Sequence, residues 1–229
     1  MNPSYDPQTF QVKSDSISSY TAKTFGWMFL GLMTTFAASL AIYFTGAIYY
    51  LYNGILPYVL LIAELGVVIY LSARLHKMSI GMARGLFFVY ALLNAVTFSS
   101  IFAIYSVSSL VFVFGMTALY FGVMALYGMV TKTDLSRIRP ILLFGLITLL
   151  VLALLSVFIP GMETGMCLIG VVIFVAFTAY DTQMIRRNYM AFQSSPELLQ
   201  KASVISALQL YLDFINLFLY LIRLFGKRD

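Results

Sequence analysis

Seven runs of apolar residues, each about 20 long, dominate the chain, and that is the length at which a helix crosses a ~30 Å hydrocarbon core. They fall roughly at 24–46, 54–74, 81–104, 108–130, 139–159, 164–185 and 203–222. With 61% hydrophobic residues and a mean hydropathy of +0.92, a soluble domain of 229 residues has no interior large enough to hide them. The breaks are chemically sensible. Asn53-Gly54 and Pro57 open the second run, Arg139-Pro140 opens the fifth, and Pro160-Gly161 closes it. The connections are too short for an extramembrane domain. The expected fold is all-α and polytopic: a polar N-terminal tail over 1–22, then a single seven-helix transmembrane domain over 23–229.

The tail lacks the basic start and short apolar core of a cleaved signal peptide, so the first run is expected to act as an uncleaved insertion signal. Neither end carries a lipidation motif. Lys and Arg then set the orientation. Lys13 and Lys23 precede or begin the first run. Arg74, Lys77 and Arg84 mark the second connection, Lys132, Arg137 and Arg139 the fourth, and Arg186, Arg187 and Lys201 the sixth. The first, third and fifth connections contain neither residue. This alternation predicts a cytoplasmic N-terminus, with Tyr49, Tyr50 and Tyr52 at the outer interface. Arg223, Lys227 and Arg228 break the pattern, because seven crossings leave them outside. The last run therefore either crosses fully or is re-entrant. Ser195-Pro196-Glu197 resembles a helix start and favours a long continuous helix that crosses.

Several function classes are excluded or weakened by what the sequence contains. The net charge of +5 is spread over short loops without interleaved aromatics, which points to topology and not to nucleic acid. A single cysteine, Cys167, forms no internal disulfide and no cysteine-based zinc site. His76 stands alone in a loop. There is no Ser-His-Asp set, HExxH motif, phosphate loop or lysine in the last run, so no enzymatic activity and no resident cofactor are expected. Gly81 and Gly85 have small-xxx-small spacing, a weak packing signal.

The polar residues of the last run are patterned. Ser206, Gln209, Asp213, Asn216 and Tyr220 are spaced 3, 4, 3 and 4 apart, so all share one helix face, amid Leu, Ile and Phe. In a membrane such a seam turns to the protein interior. Interhelical hydrogen bonding accounts for four of the five. Asp213 needs more, because a central aspartate costs about 2.5–3.5 kcal/mol on insertion scales. Two further acids lie within runs: Glu64 near the middle of the second, and Asp181 near the cytoplasmic end of the sixth. By helical rise Asp181 is roughly 7 Å deep, and Asp213 reaches that level if its helix projects into the cytosol. The nearest intramembrane cation is Arg74. Two carboxyls this close share a proton, and once ionised they form a hard oxygen site suited to calcium. Structural polar contacts are the competing reading of the same residues. Tyr90, Asn94 and Thr97 share a face of the third run, where they either line a pathway or bond between helices.

The stretch "LYLDFINLFLYLIRLFG" (210–226), the "AYDTQMI" (179–185) ahead of a basic loop, and the seven-run plan resemble the Bax inhibitor-1 family, bacterial branch, from about Tyr20 onward. That resemblance implies a last helix enclosed by the other six, in a cell (inner) membrane protein. It also implies a pH-sensitive calcium leak whose sensor and gate match Asp181 and Asp213. A pathway glutamate of the family matches Glu64, and an arginine near the pair corresponds to Arg74. The expected ion pathway is then Glu64, Asn94, Gln209 and Asn216, with calcium held transiently by Asp181, Asp213 and Glu64. Expected partners are the bilayer, calcium and protons, and no nucleic acid. The alternative is a non-conducting regulator of other membrane proteins, such as a membrane-bound protease, docking through the tail Met1 to Ser19. A proton-coupled transporter shares the buried acids but lacks an inverted repeat.

Overall fold

A computed structural model of the chain describes residues 16–74, 77–156, 159 and 161–228. Most of the tail, His76 and Pro160 lie outside the described residues. The described chain is helical: α1 (Ile17–Phe44), α2 (Ile48–Leu51), α3 (Leu56–Arg74), α4 (Ile80–Ile104), α5 (Val107–Val130), α6 (Arg139–Ser156), α7 (Glu163–Phe192) and α8 (Pro196–Phe225). A 3-10 turn, Leu135–Ile138, leads into α6. Among the described residues, six helices are long and apolar enough to cross a membrane: α1, α4, α5, α6 with its leading turn, α7 and α8. The second expected span is α3, whose apolar part, Leu56–Leu71, is shorter.

Serines start three of these helices. The Ser16, Ser79 and Ser106 hydroxyls accept the backbone N–H of Ser19 (3.2 Å), Met82 (3.2 Å) and Ser109 (3.4 Å). The Ser16 cap begins α1 earlier than hydropathy indicated, so residues 17–22, expected in the tail, are helical. The largest difference is at the other end. Apolar runs stop at 185 and resume at 203, yet α7 continues to Phe192 and α8 begins at Pro196. Hydropathy stops at Arg186 and Lys201 because those side chains are charged. The backbone hydrogen-bond ladder has no reason to stop there. Each helix is about 45 Å long, so the hairpin projects well beyond a ~30 Å core. Pro196 occupies the first helical position, as expected, but Ser195 makes no side-chain cap bond. Glu197, one residue on, pairs with Lys201 at 2.7 Å.

α8 is the central helix. No residue from Lys201 to Ile222 is exposed. Four helices surround it, α1, α4, α5 and α7, while α3 packs on α4 and α6 on α7 as an outer layer. The enclosure implied by the family resemblance is therefore made chiefly by four helices and not by six. α6 shows why: its leucine-rich surface has only Leu142 and Leu149 buried, with Leu146 and Leu152 half-buried beside them, so most of the rest faces outward as lipid-facing residues do.

α7 and α8 pack antiparallel in a fixed register. Asn188 lies against Ser206, Asp181 against Asp213, and Phe174 against Tyr220, at steps of seven residues on both helices. That repeat is the one that keeps a seam facing its partner along a coiled pair. It sets Ile185 opposite Gln209 and Thr178 opposite Asn216. Close approach is enforced by two glycines. A Cβ on Gly170 would sit 2.6 Å from the Tyr220 ring, and one on Gly128 would sit 2.2 Å from the Ala179 carbonyl oxygen, where α5 meets α7.

The two ends of the bundle are distinct. At one, Thr24 and Ser203 hydroxyls bond at 2.8 Å, and Arg84 stacks over Trp27 and donates to Gln200. At the other, the segment after α8 is tied to the α4–α5 connection. Ser106 N–H donates to the Lys227 carbonyl (3.1 Å), and Lys227 N–H donates to the Ser109 hydroxyl (2.9 Å). α8 thus runs the whole length of the bundle without reversing, as a crossing helix does and a re-entrant one does not.

Candidate functional site: a buried carboxyl pair

Asp181 and Asp213 meet at the centre of the α7–α8 seam. Their carboxyls are in hydrogen-bonding contact. Asp181 is 5% exposed and Asp213 3%, so the pair is closed off from the surroundings of the protein. One oxygen of each, Asp181 Oδ1 and Asp213 Oδ2, has no hydrogen-bond partner. Two carboxylates have no hydrogen between them, so a hydrogen bond across this contact forms only when one of the two is protonated. Asp181 lies about 17 Å from the end of α7 by helical rise, because the helix continues past the point where the apolar run stops. Asp213 is level with it because the whole hairpin projects.

The rest of the seam is partnered in three ways. Ser206 accepts from the Asn188 amide at 3.1 Å, and Tyr220 stacks on Phe174 with ring centroids 5.9 Å apart. Asn216 turns back to its own helix, donating to the Leu212 carbonyl at 2.8 Å. Gln209 is half-buried. Opposite the seam the apolar face of α8 is buried too. There Tyr211 bonds Thr35 at 2.7 Å, and Thr35 in turn donates to the Ala91 carbonyl at 2.9 Å, linking α8, α1 and α4.

Cations are arranged differently from expectation. Arg74 is exposed at the end of α3 and is not among the groups acting on either aspartate. The charge that acts on Asp181 is that of Arg139, the first residue of α6. The connection before α6 is clasped to α7 just beyond the pair. Gln183 accepts from Leu135 N–H (2.9 Å) and donates to the Thr133 carbonyl (2.8 Å), and Arg187 pairs with Asp134. The Ser136 hydroxyl and backbone N–H, then Arg187, hold the exposed Asp134 carboxyl down at about 2.

Glu64 stands apart from the aspartates. It is half-buried on α3, accepting from the Thr97 hydroxyl of α4 at 3.3 Å. It lines a cavity of about 190 Å³ between these helices, beside Tyr52, Pro57 and Val96. Asn94, one turn before Thr97 on the same helix, donates to the Tyr90 carbonyl (3.1 Å) and is buried. Among the described residues no three His, Cys, Asp or Glu side chains gather in a metal-holding group, so Glu64 does not join the aspartates in one site. Sequence reasoning missed Asn188, Thr182, Gln183 and Arg139. Of these, Asn188 had a signal: it lies seven residues beyond Asp181, in step with the seam.

An all-helical bundle of apolar helices around an enclosed acidic pair defines a polytopic membrane protein with an ionisable interior. Residues 17–229 match the family model described as "Inhibitor of apoptosis-promoting Bax1", and the chain belongs to that family, the Bax inhibitor-1 family. It is similar to the inner membrane protein YbhL of Escherichia coli K12, 39% identical over 228 residues, covering 94% of this chain and 97% of the relative. An uncharacterised protein of Borreliella burgdorferi is 38% identical over 215 residues (92% and 93% covered). Another, of Deinococcus radiodurans, is 37% identical over 224 residues (96% of each).

Proposed function

We propose that this protein is a pH-sensitive calcium leak channel of the cell membrane, gated by one proton shared between Asp181 and Asp213. The N-terminal end of the bundle faces the cytoplasm, in line with the distribution of Lys and Arg. The observation that carries the reading is the contact itself: two acids from different helices, enclosed and touching. With the proton in place, the pair holds α7 to α8. When it leaves, two unit charges about 4 Å apart at an effective dielectric near 20 repel by about 4 kcal/mol. An interhelical hydrogen bond such as Asn188–Ser206 contributes only about 0.6 kcal/mol on average. The repulsion wins unless a cation intervenes, so the seam opens. The oxygens then exposed are the hard ligands that calcium takes.

The sign follows. The closed seam is favoured in acid and lost as pH rises, so flux increases with pH. Glu64, Asn94, Gln209 and Asn216 are assigned to the route on either side of the gate, and Glu64 to an ion station separate from it. The protein has no enzymatic role in this scheme and needs no resident cofactor.

The test is calcium entry into dye-loaded proteoliposomes, stepped from about pH 6 to about pH 8. Wild type is expected to show flux rising with pH. Asp181→Asn and Asp213→Asn each keep a hydrogen bond without a titrating proton, so both should give low flux without pH dependence. Absence of flux above empty liposomes from correctly folded wild type removes the channel reading.

A further inference from the structure

The seam is asymmetric about the carboxyl pair. Toward the C-terminal end of the bundle it closes in aromatic rings: Phe174 stacked on Tyr220, Phe98 stacked on Phe218, and Phe121 edge-on to Phe214, with centroids 5.9, 5.5 and 5.5 Å apart. Tyr220 lies directly over Gly170, with no room for a methyl between them. Toward the N-terminal end the interior is polar. Ser206 meets Asn188 at 3.1 Å, and Ser203 meets Thr24 at 2.8 Å, all between α1, α7 and α8.

The buried atoms without partners lie on that polar side. Among the described residues they are Tyr20 Oη, Arg84 Nε, Thr182 Oγ1, Asp181 Oδ1 and Asp213 Oδ2. Thr182 is informative. The buried threonines at 24, 117 and 178 all donate to the carbonyl four residues back. Thr182 has that option and does not use it, although it is only 1% exposed. Tyr20 is 2% exposed, its ring against Tyr189. Buried hydroxyls and carboxyls without protein partners are characteristically satisfied by ordered water, which needs two to four polar partners.

We propose that water occupies the interior between α1, α7 and α8, from Tyr20 and Thr24 past Ser206 and Gln209 to Thr182 and the carboxyl pair. Water then reaches the pair from the N-terminal end of the bundle only, and the aromatic layer blocks it from the other end. The ligand is water, and the residues that hold it above the pair are hydroxyls and amides. The other titratable or charged groups around the pair are Arg139 from α6, Tyr180 on α7, Arg187 with Asp134 beyond it, Lys201 with Glu197 on α8, and Tyr20 from α1. Tyr211 and Tyr90 lie on the opposite face of α8. Among the buried residues of α5 none titrates.

Thiol labelling tests this without depending on flux. In a Cys167→Ser background, Ser206→Cys and, as a second position, Ser203→Cys are treated with a small membrane-impermeant methanethiosulfonate. The reagent is applied to intact cells and to inverted vesicles. Leu217→Cys, fully buried beyond the pair, is the dry reference. The expected result is labelling at 206 and 203 about tenfold or more faster from the face bearing the N-terminus, with Leu217→Cys unreactive from both. Labelling from the opposite face, or from neither face in variants that purify as folded protein, overturns the proposal. Sided labelling together with absent calcium flux keeps the water path and discards the gate.

Discussion

At the scale of single residues, the glycines separate packing from function. Gly128→Ala drives a methyl into the Ala179 backbone, which cannot turn aside, and is expected to cost about 1–3 kcal/mol. Gly170→Ala meets a ring that can shift, so its cost should be smaller. Gly122→Ala, in open space on α5, should be neutral or slightly stabilising. Thermal unfolding in detergent ranks the three. Asp134 supplies a control for pH. Its carboxyl is held low by Ser136 and Arg187, so its contribution to the clasp is complete above about pH 4 and is lost only as pH falls through about 2. Between about pH 6 and 8 it does not titrate. Asp134→Asn should therefore loosen the 131–138 connection, seen as faster proteolysis there, while leaving the pH dependence of flux in place. A shifted flux midpoint in that variant would move the sensor away from the carboxyl pair.

At the scale of elements, the α7–α8 hairpin shows what was legible in the sequence and what was not. The seam Ser206, Gln209, Asp213, Asn216 and Tyr220 was legible because 3- and 4-residue spacing is helical geometry, and charge in an apolar run is conspicuous. Its partner face on α7 was not, because Asn188 lies past Arg186 and Arg187, where hydropathy ends the helix. The helix ends at 192 and 196 were hidden for the same reason. Arg74 was the nearest intramembrane cation, but which of several loop arginines acts on Asp181 depends on how α6 packs on α7, and that is a long-range fact. The burial of both faces of α8 was equally hidden, since leucines that face lipid and leucines that face protein read alike. The register makes its own prediction. A double-mutant cycle on Asn188→Ala and Ser206→Ala should return a coupling of about 0.5–1.5 kcal/mol, whereas Asn188→Ala with Ser203→Ala should show little.

At the scale of the whole molecule, α8 is a core strut that the other helices enclose, and the segment after it is pinned to the α4–α5 connection at the far end from Ile17. The two termini are thus expected on opposite faces of the membrane. Reporter fusions to each end check this, and both reporters on one face would contradict the crossing of α8. The same layout puts the carboxyl pair between the two halves of the central hairpin, where one proton can hold or release it. That proton is the centre of the account, and infrared spectroscopy of the reconstituted protein reads it directly. The account predicts a protonated-carboxyl band at about pH 6 that fades toward about pH 8 and is missing from both Asp181→Asn and Asp213→Asn. A carboxyl band that persists in both variants, or that does not change with pH in wild type, would contradict the shared proton and leave the pair as a structural contact.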